Sequence, residues 1–179
     1  KMIVENMASP YVRYNGYAPM LRLRMWKDSG TSDWSALTVG IGGGLPSNSA
    51  EIRVFKDSDA DQAFSFSDTQ VGYAQVDGGQ SVITFQGPDT IGVSTSVYFV
   101  VLSPYEQAAG KNAVVSIADT TAFTITGELQ PVTSLPASSS VSRVMPYVRA
   151  DSHPEYYYPD SSVSVIQGQT LRIDATGYW

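Results

Sequence analysis

The sequence predicts an all-β protein of short antiparallel strands, and three observations lead there. Apolar and polar residues alternate with a period of two, and no segment keeps a helical period for long. Residues 20–26 show the pattern most cleanly: Leu21, Leu23 and Met25 fall on one face, Met20, Arg22, Arg24 and Trp26 on the other. Clusters of Gly, Pro, Asp and Ser interrupt the alternation at short intervals, as turns between strands do. About eight strands arranged this way predict an antiparallel β-sandwich, immunoglobulin-like in outline.

In order along the chain, residues 20–26 form the first predicted strand, with Leu21, Leu23 and Met25 as its core face. A turn at 28–33 leads to a strand at 34–41, and the glycine-rich stretch 42–49 reads as a flexible loop. Residues 51–56 form a strand with Ile52 and Val54 inward. Residues 70–76 and 80–86 pair across a hairpin turn at Asp77, Gly78 and Gly79. The strand at 95–103 is strongly apolar at Val97, Phe99 and Val101. Residues 105–110 read as a loop or a single helical turn, and strands at 114–118 and 122–126 complete the set.

Between the strands at 51–56 and 70–76 lies the most specific motif. Residues 57–68 place carboxylates at positions 1, 3, 5 and 12 of a twelve-residue loop: Asp57, Asp59, Asp61 and Asp68. Calcium takes six to eight hard oxygen ligands, and a tight turn lets near neighbours converge on one ion. Position 7, Ala63, offers a backbone carbonyl, and position 9, Ser65, a hydroxyl or a bound water. Position 8, Phe64, is an apolar anchor. Gln62 stands at position 6, where glycine usually makes the sharp turn, and Asp68 is shorter than the usual glutamate; both point to modest affinity. The fold expectation is thus a sandwich with an inserted calcium loop and Ca²⁺ as its cofactor. Strands rather than helices flank the loop, so the ion is a staple with no helix pair to open.

Composition narrows the function classes. Lys and Arg total 11 against 17 Asp and Glu, a net charge of −6, which argues against a nucleic-acid partner. No run of apolar residues is long enough to predict a membrane-spanning helix. Cysteine is absent, which excludes disulfides and thiolate metal sites. Millimolar extracellular calcium fills a weak loop that cytosolic calcium leaves empty, so the expected location is extracellular, at a cell surface. Because the chain begins at Lys1, it reads as a processed product or an excerpt.

The expected organisation is a β-sandwich domain at 1–129, a Ser/Pro linker at 130–140, and a C-terminal extension at 141–179. The extension is too short for an ordinary sandwich, so it docks on the first domain, forms a partial second module, or completes a neighbouring chain as a strand-donating tail. Pro10-Tyr-Val-Arg13 recurs as Pro146-Tyr-Val-Arg149, 136 residues later, which suits the opening of a further repeat. Tyrosines cluster near the chain ends, among them Tyr11, Tyr14 and Tyr17. Tyr147, Tyr156, Tyr157 and Tyr158, with Val163, Val165, Leu171 and Ile173 of a predicted hairpin, are the candidate interface.

From Leu21 to Gly127 the sequence resembles a repeated β-sandwich module of large bacterial surface and secreted proteins, including the domain found beside some sialidase propellers. Leu21-Arg-Leu-Arg-Met-Trp-Lys-Asp28, Ile52-Arg-Val-Phe-Lys-Asp57 running into the Asp-rich loop, and Ile83-Thr-Phe85 carry the likeness. Tyr98-Phe-Val-Val101, Val115-Ser-Ile-Ala118 and Phe123-Thr-Ile-Thr126 extend it. The loop itself is similar in ligand spacing to those of dockerins and EF-hands. The resemblance implies a non-catalytic spacer, adhesive part or structural unit.

Catalytic signals are weak. His153 is the single histidine and sits in a Pro- and Tyr-rich turn without a nucleophile motif nearby. Residues 40–44 lack the lysine of a phosphate loop and the helix of a dinucleotide fold. The expectation is a non-enzymatic, calcium-stabilised subunit of a surface fibre, sheath or repeat array that self-associates through its terminal segments into a homopolymer. The alternative is an accessory module of a secreted glycoside hydrolase that binds surface glycans through Tyr156–Tyr158.

Overall fold

The structure, a computed structural model, describes residues 1–145. Alternation becomes strand throughout: β1 (Met2–Asn6), β2 (Tyr11–Arg13), β3 (Ala18–Met25), β4 (Ser32–Gly42), β5 (Ala50–Lys56) and β6 (Thr69–Gln75). They continue as β7 (Gln80–Ile91), β8 (Ser96–Pro104), β9 (Asn112–Ile117), β10 (Phe123–Ile125), β11 (Ala137–Ser138) and β12 (Ser142–Met145). Two single 3-10 turns, Glu106–Ala108 and Thr120–Ala122, are the helical elements among the described residues.

Ten strands follow one path through a curled mixed sheet, in the order β1-β3-β8-β5-β6-β7-β4-β9-β12-β2, with β10 beside β4 and β11 beside β9. Neighbouring strands pair antiparallel except β12 and β2, which run parallel with Val144 opposite Val12. Three strands separate β8 from β4 along the path. Even so, Trp34 of β4 packs edge-on against Tyr98 of β8 with ring centroids 4.9 Å apart. The sheet therefore curls back on itself and encloses the main core between its halves. Trp34 also meets Phe85 at 4.7 Å and Phe123 at 5.7 Å, and its indole N–H donates to the Ala36 carbonyl. Burying a large side chain of this kind contributes about 1.5–3 kcal/mol.

Strand β8 is buried on both faces. Tyr98, Val100 and Leu102 enter the main core, while Val97, Phe99 and Val101 join Phe55 in a second, smaller cluster on the outer face. That explains its continuous apolar sequence, which a half-solvated strand would not show. Ile52 and Val54 point inward as expected. On β3 the expected faces hold for Leu21, Leu23 and Met25, but Met20 is fully buried as well. A bulge between Pro19 and Leu21 inserts an extra residue there and turns Met20 to the core.

The glycine-rich stretch is more constrained than its composition suggests. β4 continues through Gly42, and Gly43 has φ +88° with the Asn112 carbonyl 2.5 Å from where a Cβ would stand. Only glycine fits that approach.

Residues 130–140, read above as a linker, share backbone hydrogen bonds with the sheet. The Met2 N–H donates to the Gln130 carbonyl at 3.0 Å and the Val132 N–H to the Met2 carbonyl at 2.7 Å. The Val4 N–H donates to the Thr133 hydroxyl at 3.0 Å, and β11 pairs with β9. The stretch thus runs from the free edge of β1 to β9, and the boundary drawn at 129 is crossed by these bonds. Side-chain composition hides this, because backbone N–H and C=O groups pair whatever side chain they carry.

Candidate metal centre

Residues 57–68 join β5 to its antiparallel neighbour β6. The loop enters where the Asp57 N–H donates to the Val97 carbonyl of β8 at 3.0 Å. The Asp57 carboxylate then gathers the turn: Oδ1 accepts from the Ala60 N–H at 2.8 Å and Oδ2 from the Gln62 N–H at 3.0 Å. Both donors are left-handed, with φ 60° at Ala60 and at Gln62. Gln62 therefore adopts at position 6 the backbone form for which glycine is the usual residue, and bears its steric cost. The Arg22 guanidinium of β3 donates to the Gln62 carbonyl at 3.1 Å and ties the tip of the turn to the sheet.

Further along, the Asp61 N–H lies 3.4 Å from Asp59 Oδ1, the Ser67 hydroxyl donates to Asp59 Oδ2 at 3.2 Å, and the Ala63 N–H donates to Asp61 Oδ1 at 2.7 Å. The Asp61 N–H, with the Ser67 hydroxyl, holds the Asp59 carboxyl below the usual carboxylate range, against a smaller opposing effect of desolvation. It is an anion at neutral pH.

Phe64 is the apolar anchor that its position predicted. Its ring packs on Phe55 at 5.1 Å and on Phe99 at 5.9 Å, over the outer-face cluster. Asp68 closes the loop. It is buried, and its two oxygens accept the N–H groups of Ser58 at 3.1 Å and Ser65 at 2.8 Å.

Among the described residues, Asp57, Asp59 and Asp61 each offer a carboxylate oxygen to one group, with these oxygens all within 4.8 Å of one another. Asp68 stands outside that group. Three converging carboxylates are a hard-oxygen donor set suited to Ca²⁺ and unsuited to soft metals that prefer sulfur or imidazole. Their bonds to backbone N–H groups leave lone pairs for an ion, since each carboxylate oxygen accepts more than once. Ser65 Oγ lies 2.6 Å from Ser67 Oγ, and Ala63 faces the loop through its N–H bond to Asp61. The structure thus brings the carboxylates of Asp57, Asp59 and Asp61 together, and gives Asp68 a backbone-bonding role.

A cleft of about 350 Å³ borders the loop, lined by Arg24, Lys56, Asp57, Gln62 and Ser96 among others. Both cations in its wall are paired: Arg24 with Glu5 at 2.8 Å, and Lys56 with Asp89 at 2.8 Å. Tyr98 donates to the other oxygen of Asp89 at 2.9 Å, and burial beside that carboxylate pushes its hydroxyl strongly up, so it remains a donor. Apart from Lys56, these supports lie far from the loop in sequence, so no local motif signals them.

The candidate interface residues Tyr147, Tyr156, Tyr157, Tyr158, Val163, Val165, Leu171 and Ile173, and His153, lie outside the described residues. No helix is long and apolar enough to cross a membrane among those described. No protein-family model matches the chain, and no curated protein matches it either.

Proposed function

We propose that the chain is a non-catalytic extracellular structural module, held together by Ca²⁺ in the 57–68 loop, that serves as one unit of a surface fibre, sheath or repeat array. Its fold in this proposal is an immunoglobulin-like sandwich with an inserted calcium loop. The observation that carries it is the convergence of Asp57, Asp59 and Asp61 in a loop between paired strands. Phe64 seats that loop on the sheet, which suits a fixed staple. The module self-associates through its terminal segments.

Calcium titration of thermal and urea unfolding tests the staple. With a dissociation constant in the 10⁻⁴–10⁻³ M range of extracellular modules, millimolar calcium adds about 0.4–1.4 kcal/mol. The double substitution Asp57→Asn, Asp61→Asn removes that increment; an unchanged increment refutes the metal reading. Self-association is tested by sedimentation of the full chain against a chain ending at Met145. The cut belongs there because an earlier one, before Ala137, strips β11 and β12 from β9. Equal polymerisation of both chains refutes assembly through the tail.

A further inference from the structure

Beside the outer face of β5 and β6 runs a row of side chains that core packing and metal binding do not account for. Phe66, 81% exposed, meets the Tyr17 ring edge-on at 5.4 Å. The Arg53 guanidinium lies 5.2 Å from the Tyr17 ring centre and 5.7 Å from that of Tyr73, which is 52% exposed. Aromatic surface and a planar cation thus form one continuous strip. Its parts are fixed in place: Tyr17 packs edge-on against Phe55 at 6.0 Å, and Arg53 sits directly across the strand pair from Tyr73.

Planar polar groups border the strip. Arg53 donates to the Gln70 side-chain oxygen and to the Glu51 carboxylate. The Gln75 amide lies 3.0 Å from the other Glu51 oxygen and 3.2 Å from the Tyr105 hydroxyl. Glu51 offsets the charge of Arg53, so the strip is close to neutral. We propose that Phe66, Tyr17 and Tyr73 form a platform for a neutral saccharide, whose C–H faces lie on the rings while its hydroxyls reach Glu51, Gln70 and Gln75. The chemistry selects this occupant. An anionic polymer needs uncompensated positive charge, which Glu51 removes. A peptide docked by its apolar side chains would make no use of the polar rim that Glu51, Gln70 and Gln75 form. Exposed rings with hydrogen-bonding groups fixed at their edges match a ligand whose faces are apolar and whose rim is polar. Only Phe66 belongs to the metal loop, so the platform stands without the calcium reading.

Affinity electrophoresis of the full chain through gels containing hydroxyethyl cellulose, xylan, galactomannan, mixed-linkage β-glucan or alginate tests the proposal. At least one neutral polysaccharide retards the protein. Tyr73→Ser and Phe66→Ser, which alter exposed rings and leave the fold's thermal midpoint near that of the parent, each weaken retardation about fivefold to tenfold. Adding EDTA weakens it no more than Phe66→Ser does. Retardation by no neutral polymer, retardation by alginate alone, retardation unchanged in both Tyr73→Ser and Phe66→Ser, or complete loss in EDTA each overturns the platform.

Discussion

Replacing Asp68 by alanine separates two roles that the loop spacing merges. As the twelfth position of a calcium loop, Asp68 would matter only when the ion is bound. In the structure it is buried and accepts two backbone N–H groups, from Ser58 at 3.1 Å and Ser65 at 2.8 Å. A hydrogen bond to a charged acceptor contributes about 1.5–3 kcal/mol, and a donor left buried without a partner costs a similar amount. Ser58 is exposed and its N–H regains water, so the two losses do not sum in full. Asp68→Ala is expected to cost about 2–4 kcal/mol, or roughly 10 °C in thermal midpoint. Asp68→Asn keeps one acceptor oxygen and is expected to cost about half as much. The assay is urea unfolding in EDTA and again in millimolar calcium. The backbone-bonding role predicts the same loss in both. A variant within about 0.5 kcal/mol of the parent in EDTA, destabilised only with calcium, would refute this reasoning.

Two further outcomes follow from neighbouring residues. Desolvation acts to raise the Glu5 carboxyl, but bonds to Arg22 and Arg24, both 2.8 Å long, outweigh it and hold the group below its usual value of 4.5. Its stabilising contribution is therefore complete above that pH and is lost as pH falls through the folded value. Glu5→Gln should destabilise the protein near neutrality, and the gap to the parent should close on acidification; thermal midpoints across an acid series check this. Gln62→Gly relieves the left-handed strain at position 6, about 1–2 kcal/mol, and adds unfolded-state entropy worth about 0.5–1 kcal/mol. The expected result is a net gain of about 0.5–1 kcal/mol in urea unfolding, and a net loss would show that the turn is not left-handed in solution.

Local pattern carried the strands and the metal-loop candidates. Alternation placed Leu21, Leu23, Met25, Ile52 and Val54 inside, because the pleat sends successive side chains to opposite faces whatever the partner strand is. Spacing alone also singled out Asp57, Asp59 and Asp61, since residues two apart in a tight turn are neighbours in space, and it marked Phe64 as the anchor. Decisions that need a distant partner came only with the tertiary structure. The bulge opposite β8 buried Met20, and the unpaired edge of β1 drew in residues 130–132, both settled by backbone hydrogen bonds that side-chain composition does not encode. Asp68 turned out to bond Ser58 and Ser65 because the close of the loop needs acceptors for those N–H groups, a demand that its position in the sequence does not express. The Tyr17–Arg53–Tyr73 strip was equally hidden. It joins residues from three separate segments, and only the pairing of β5 with β6 sets Arg53 beside Tyr73.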